Sequence, residues 1–103
     1  SIFELSFAKM VGIRPVLARR IIYEPGGEAL GIAARAIGLE RSVYLQIYQL
    51  TRKARETDNR LSKDEVVRLT QFFESITREA AYLVLRKWQR DPRYLNAVRQ
   101  IKK

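Results

Sequence analysis

The sequence predicts an all-α fold of about seven helices, arranged as stacked antiparallel helical hairpins. Three observations predict it. Apolar residues recur at intervals of three and four along nearly the whole chain, the spacing of one helix face. No stretch alternates apolar and polar residues as a half-buried strand does. A seven-residue pattern also occurs twice, twenty-six residues apart: Phe7-Ala8-Lys9-Met10-Val11-Gly12-Ile13 and Ala33-Ala34-Arg35-Ala36-Ile37-Gly38-Leu39. The correspondence continues from Leu17 to Val43, from Ile21 to Ile47 and from Ile22 to Tyr48. A helix, a glycine turn and a second helix produce such a pattern.

In the first segment, Ile2, Leu5, Phe7, Ala8 and Val11 have helical spacing. Gly12 follows the last periodic residue, where a chain leaves a helix through positive φ. Pro15 suits the first position of the next helix, whose N–H has no partner in any case. Val16, Leu17, Arg20, Ile21 and Tyr23 carry that helix to about Glu24, with Arg14, Arg19 and Arg20 outward. Pro25-Gly26-Gly27 is the strongest punctuation in the chain and reads as the linker between two hairpins. Glu28 then stands in a first turn, where negative charge complements the helix dipole. Ala29, Leu30, Ile32, Ala33, Ala36 and Ile37 make a small-residue helix that Gly38 closes. The next helix runs from about Arg41 to Arg55, with Val43, Tyr44, Ile47, Tyr48 and Leu50 on its core side.

Thr57-Asp58-Asn59-Arg60 is a polar loop. Ser62 and Glu65 form a capping-box pattern, and Val66, Leu69, Phe72, Phe73 and Ile76 follow at helical spacing. From here the spacing allows one continuous helix to Arg90. It also allows a turn at Ser75-Ile76-Thr77 with Thr77 as N-cap. The repeat favours the turn, because aligning Ile76 with Ile13 places Ala80, Val84 and Leu85 opposite Leu17, Ile21 and Ile22. Asp91-Pro92 starts a last short helix. The expected organisation is one domain over 1–103, with hairpins at about 2–24, 28–56 and 63–90 and a terminal helix at 92–102. Each hairpin has one apolar face and needs a neighbour to cover it. The absence of Met before Ser1 fits a piece of a longer protein.

Gly26-Gly27-Glu28-Ala29-Leu30 followed by Arg35-Ala36-Ile37-Gly38-Leu39 resembles a bacterial domain family of unknown function. That family is found mainly in alphaproteobacteria and looks related to HEAT-like helical repeats. Ala80-Ala81, Leu85-Arg86-Lys87-Trp88 and Asp91-Pro92-Arg93-Tyr94-Leu95 are similar to its C-terminal end. The resemblance covers most of the chain. It implies a helical-repeat fold and brings no functional residues with it.

The sequence contains neither Cys nor His. A disulfide framework, a thiolate nucleophile, a cysteine metal site and an imidazole base are therefore excluded. Glu24, Glu28, Glu40, Asp64 and Glu65 are the imaginable carboxylate pairs, but all except Glu24 sit at helix ends, where capping accounts for them. No catalytic residue, metal or cofactor is expected. Gly26, Gly27 and Gly31 do not make a phosphate-binding loop, which needs a Gly-Lys-Ser/Thr ending after a strand. No apolar run approaches the ~18 residues of a membrane span, and the start does not read as a signal peptide. A cytoplasmic protein is expected.

Net charge is +9, and +6 of it falls within residues 86–103. Arg86, Lys87, Arg90, Arg93 and Arg99 form one candidate contact group, and Arg52, Lys53 and Arg55 a second. Such charge favours an acidic protein partner or nucleic acid. The first group interleaves with Trp88 and Tyr94, which suits base stacking; equally, Trp88 falls four residues after Val84, on the apolar side. Ala34, Gly38, Leu39 and Ile47 also have helix-turn-helix spacing. In a DNA-binding version, Arg41, Ser42, Leu45, Gln46 and Gln49 would face the major groove. The expected role is a non-catalytic interaction module with a basic face for an acidic protein. Nucleic-acid binding is the alternative. Gly12, Gly26, Gly27 and Gly38 are expected to be structural turns.

Overall fold

The computed structural model describes residues 2–53 and 62–90. Among them are six helices and no strand: α1 (Ile2–Val11), α2 (Pro15–Ile22), α3 (Glu28–Ala36), α4 (Arg41–Lys53), α5 (Lys63–Ser75) and α6 (Arg78–Arg90). The terminal helix expected at 92–102 and the polar loop from Thr57 to Arg60 lie outside the described residues.

Both copies of the repeat end their helices in the same way. Gly12 has φ 77° and Gly38 has φ 85°, a backbone region that costs glycine little and other residues considerably more. The N–H after each glycine reaches back to the last helical turn: Ile13 donates to the Ala8 carbonyl at 3.0 Å, and Leu39 to that of Ala34 at 2.9 Å. Carbonyls that would otherwise be unpaired at the helix end are thereby satisfied. The third junction uses different chemistry. Ile76 is extended (φ −100°, ψ 125°) and ends α5. The Ala80 N–H then donates to the Thr77 hydroxyl at 3.1 Å, the N-cap of α6. Residues 63–90 are thus two helices, as the repeat favours, without a glycine between them. The Glu65 N–H donates to the Ser62 hydroxyl at 3.1 Å, capping α5.

Helix α3 lies at the centre. It packs most extensively on α6, then on α5, α2 and α4, while α5 and α6 meet each other only marginally. Ala29, Leu30, Gly31, Ile32, Ala33, Ala34 and Ala36 are all buried. The small side chains allow this, because backbones can approach a helix of Ala and Gly from several sides. A Cβ on Gly31 would already stand 3.1 Å from the Tyr44 hydroxyl and 3.2 Å from the Phe72 ring. The Tyr44 and Phe73 rings stack at 5.1 Å, with an angle of 16° between their planes.

Pro25-Gly26-Gly27, expected to be a linker, is a fixed joint. Each of its three carbonyls accepts from a distant side chain. Tyr48 donates its hydroxyl to Pro25 at 3.1 Å, Arg68 its guanidinium to Gly26 at 3.0 Å, and Tyr44 its hydroxyl to Gly27 at 2.9 Å. Burial, with a contribution from the Glu28 charge, pushes the Tyr44 phenol well above its usual range. On the other side of the joint, Glu24 accepts from the N–H groups of Glu28 and Ala29, both at 3.1 Å. The carboxylate with no helix-end role in the sequence reading therefore closes the N-terminus of α3. Burial raises its pKa, the Ala29 N–H works against that, and the neighbouring Glu28 charge adds to it.

One core assignment changes. Leu50 is exposed, whereas Tyr44, Ile47, Tyr48 and Thr51 form the inner stripe of α4. Leu50 follows Tyr44 by six residues, which places it about 240° around the helix. On α1, Phe7, Ala8 and Val11 face inward, while Ile2 and Leu5 face out.

Candidate interaction face on helix α6

Helix α6 presents two chemically distinct sides. Ala81, Leu85 and Trp88, spaced by four and three, are buried. Trp88 is 1% exposed, so its ring belongs to the core and is not available for base stacking. Its indole N–H has no acceptor among the described residues. The outward side carries Tyr82, Leu83, Arg86, Lys87 and Arg90, all exposed. Arg86 lies over the Tyr82 ring, 5.8 Å from its centroid, and donates to the Tyr82 hydroxyl at 3.4 Å. A cation–π pair at an exposed site is worth about 0.5–1 kcal/mol, enough to bias the guanidinium toward the ring. The only carboxylate on the helix is Glu79, in its first turn. The last turns therefore hold Arg86, Lys87 and Arg90 with no acid among them, and positive charge there also complements the C-terminal end of the helix dipole.

Long-range hydrogen bonds hold both ends of this helix. At its start, Arg78 donates to the Ala36 carbonyl at 3.5 Å, and Arg35 of α3 donates in the opposite direction to Ile76 at 2.9 Å. Arg35 also lies 5.2 Å from the centroid of the Phe73 ring. At its end, the Gln89 amide donates to the Val11 carbonyl at 2.9 Å. Helix α6 therefore runs from the Gly38 turn to the Gly12 turn and has a side chain over each. A Cβ on Gly12 would stand 3.0 Å from the Gln89 amide nitrogen, and one on Gly38 3.0 Å from an Arg78 nitrogen. The Gln89 contact brings the basic end of α6 beside the α1–α2 turn, where Arg14 is exposed. Sequence spacing contains no signal for that contact.

The other expected contacts fall differently. Arg55, Arg93 and Arg99 lie outside the described residues, and Arg52 and Lys53 occupy the last turn of α4. On the helix-turn-helix reading, Ala34 and Ile47 are buried and Leu39 is half-buried, as the motif requires. Arg41, Ser42, Gln46 and Gln49 are exposed, and Leu45 is half-buried. The charge around them is unfavourable for a duplex, however. Arg41 is bound to Glu74 at 2.8 Å, and Glu40 is exposed beside it. The N-terminal end of α4 thus has Glu40 just before it and Glu74 of α5 paired with its Arg41, two carboxylates that would repel phosphate. Gly12, Gly27 and Gly38 have positive φ and Gly26 does not; at Gly26 a side chain would instead collide with the Glu28 carboxylate.

Among the described residues no three acidic side chains converge as a metal site would require, and no helix is long and apolar enough to cross a membrane. Residues 2–86 match a family described as an uncharacterised protein conserved in bacteria, DUF2336. The chain belongs to this family. Neither the curated proteins nor the solved structures contain a match to it. The family segment ends at Arg86, so it includes the core side of α6 as far as Leu85 and stops before Lys87, Trp88 and Arg90.

Proposed function

We propose that this chain is a non-catalytic, HEAT-like helical-repeat module of the bacterial cytoplasm that presents the outward face of α6 to an acidic protein. One observation carries the reading: Arg86, Lys87 and Arg90 are exposed together around Leu83 on a helix whose opposite side is core. A mixed surface of this kind supplies charge for orientation and steering, and an apolar centre for affinity. The non-catalytic part rests on the absence of Cys and His from the sequence and on the use made of the groups with raised pKa values. Glu24 caps α3 and Tyr44 holds the Gly27 carbonyl, so neither is poised for proton transfer.

The test is affinity capture from a bacterial lysate with the wild-type chain and with a variant carrying Arg86→Glu, Lys87→Glu and Arg90→Glu. Capture of an acidic protein by the wild type alone is the expected result; equal capture by both removes α6 from the interface. A mobility-shift assay with random-sequence duplex and single-stranded DNA accompanies it. A shift at low salt that disappears at high salt and in the reversed variant would replace the protein partner with nucleic acid.

A further inference from the structure

We propose that the outward face of α6 receives an acidic amphipathic helix of its partner in the antiparallel direction, and that Glu79 sets that direction. The proposal rests on the reading of α6 as the interaction face and adds what that face selects. Glu79, Tyr82, Leu83, Arg86, Lys87 and Arg90 stand at i, i+3, i+4, i+7, i+8 and i+11, one stripe of the helix, and all are exposed. Leu83 is the most open apolar residue of the stripe, 63% exposed, and Tyr82 follows at 48%. Around Leu83 stand Glu79 at i−4, Arg86 at i+3, Lys87 at i+4 and Arg90 at i+7. Arg78, the other charge of the first turn, is drawn off the stripe to the Ala36 carbonyl at 3.5 Å, beside Gly38. The stripe thus has an apolar middle and charged ends of opposite sign.

Backbone chemistry selects a helix as the occupant. Between its ends, α6 pairs its backbone groups internally, and the described residues contain no strand whose edge an extended segment could join. An extended segment laid on this stripe would leave its backbone groups unpaired against it; a helix arrives with its own already paired. From Glu79 to Arg90 the stripe runs ~16 Å, about three turns of a partner helix. Charge order selects the direction. A helix favours carboxylates in its first turn and bases in its last. Laid antiparallel to α6, such a helix sets its carboxylates against Arg86, Lys87 and Arg90 and its bases against Glu79. Laid parallel, it meets like charge at both ends. A second copy of α6 has the right order and the wrong balance, since one carboxylate of each copy would face three cations of the other. The occupant is therefore a more acidic helix than α6 itself.

The experiment uses two fluorescent peptides of identical composition, each locked as a helix by a lactam bridge on the side away from its leucines. One carries glutamates in its first turns, leucines in the middle and lysine in its last turn; the other has these charges exchanged end for end. Fluorescence anisotropy with the whole chain is expected to show the first binding about tenfold or more tighter than the second. Glu79→Lys should weaken the first peptide about fivefold and strengthen a third with glutamates at both ends. Glu79→Gln should produce a smaller change of the same sign, and thermal melting checks that both variants keep the fold. A variant with Arg86→Glu, Lys87→Glu and Arg90→Glu should lose the first peptide. If it binds that peptide as the wild type does, or if no peptide binds the wild type, the α6 reading fails and this proposal with it. If binding is lost in that variant but the wild type binds both orders equally, the direction is overturned and the α6 reading stands. The same holds if Glu79→Lys leaves the ratio of the two unchanged. A dimer in sedimentation that Glu79→Lys dissociates also overturns the proposal, because the occupant would then be a second copy.

Discussion

The two copies of the seven-residue pattern share a turn and little else. Phe7–Ile13 and Ala33–Leu39 both stop a helix with a positive-φ glycine and the same reach-back hydrogen bond. Yet α1 lies at the surface with one side open, while α3 is enclosed by α2, α4, α5 and α6. The local pattern dictates where the backbone turns, because glycine conformation and helix-end carbonyls are local matters. Enclosure depends on residue size along the whole helix. Helix α3 offers Ala and Gly to its neighbours; α1 offers Phe, Leu, Ile and Met, and α2 is its main neighbour among the described helices.

The strongest way to test this contrast is to remove apolar volume from each copy. Leu30→Ala, at a fully buried position of α3, should cost about 2–5 kcal/mol, and Leu5→Ala on the outside of α1 less than about 0.5 kcal/mol; urea unfolding of both variants measures the difference. Equal losses would mean that α1 is enclosed in solution. Next in size are the turns. Gly38→Val and Gly12→Val should each cost about 1–3 kcal/mol, because a β-branched residue is strained at positive φ. Similar losses from the two show that the turn behaves alike in both surroundings. A Gly38→Val variant that melts like wild type but loses a nucleic-acid ligand would instead revive the helix-turn-helix reading.

A smaller effect belongs to the second copy alone. Tyr44→Phe leaves the Gly27 carbonyl without its buried donor and should cost about 1 kcal/mol or somewhat more, read as a lower thermal midpoint. The least effect is a pH dependence in the first copy. The Tyr23 hydrogen bond, with a weaker contribution from the Arg19 charge, holds the Glu4 carboxyl below its usual value despite an opposing desolvation effect. A carboxyl depressed in the folded state contributes stability above its unfolded pKa and loses it as pH falls through the folded value. Melting temperatures should therefore decline slightly on acidification below the ordinary carboxylate range, and Tyr23→Phe should flatten that decline.

Much of this architecture was legible in the sequence where its cause is local. The glycine turns, the Ser62 and Thr77 caps and the inward placement of Trp88 follow from residue type and spacing. Periodicity does not separate Ile2 and Leu5 from Phe7, Ala8 and Val11, because both stripes of α1 are apolar. Leu50 is apolar yet lies about 240° around α4 from Tyr44, so its residue type points inward while its helix angle points out. The partners of Pro25-Gly26-Gly27 lie on α4 and α5, and Gln89 meets Val11 from the far end of the described chain; no spacing rule reaches that far. The candidate face on α6 was half visible. Its cations are evident in the sequence, while the contact of their helix end with the α1–α2 turn required the fold.

The joint at Pro25-Gly26-Gly27 has a consequence for how the molecule comes apart. Its composition is that of a hinge a protease would nick, but cleavage requires extended chain that can enter an active-site cleft. Drawing these residues out would detach Tyr44, Tyr48 and Arg68 and uncap α3 at Glu24. Scission at this point should therefore occur only through wholesale opening, at a rate set by the stability of the entire domain and not by local fraying. The same closure ties the exit of the first hairpin to α4 and α5, through Tyr44, Tyr48 and Arg68.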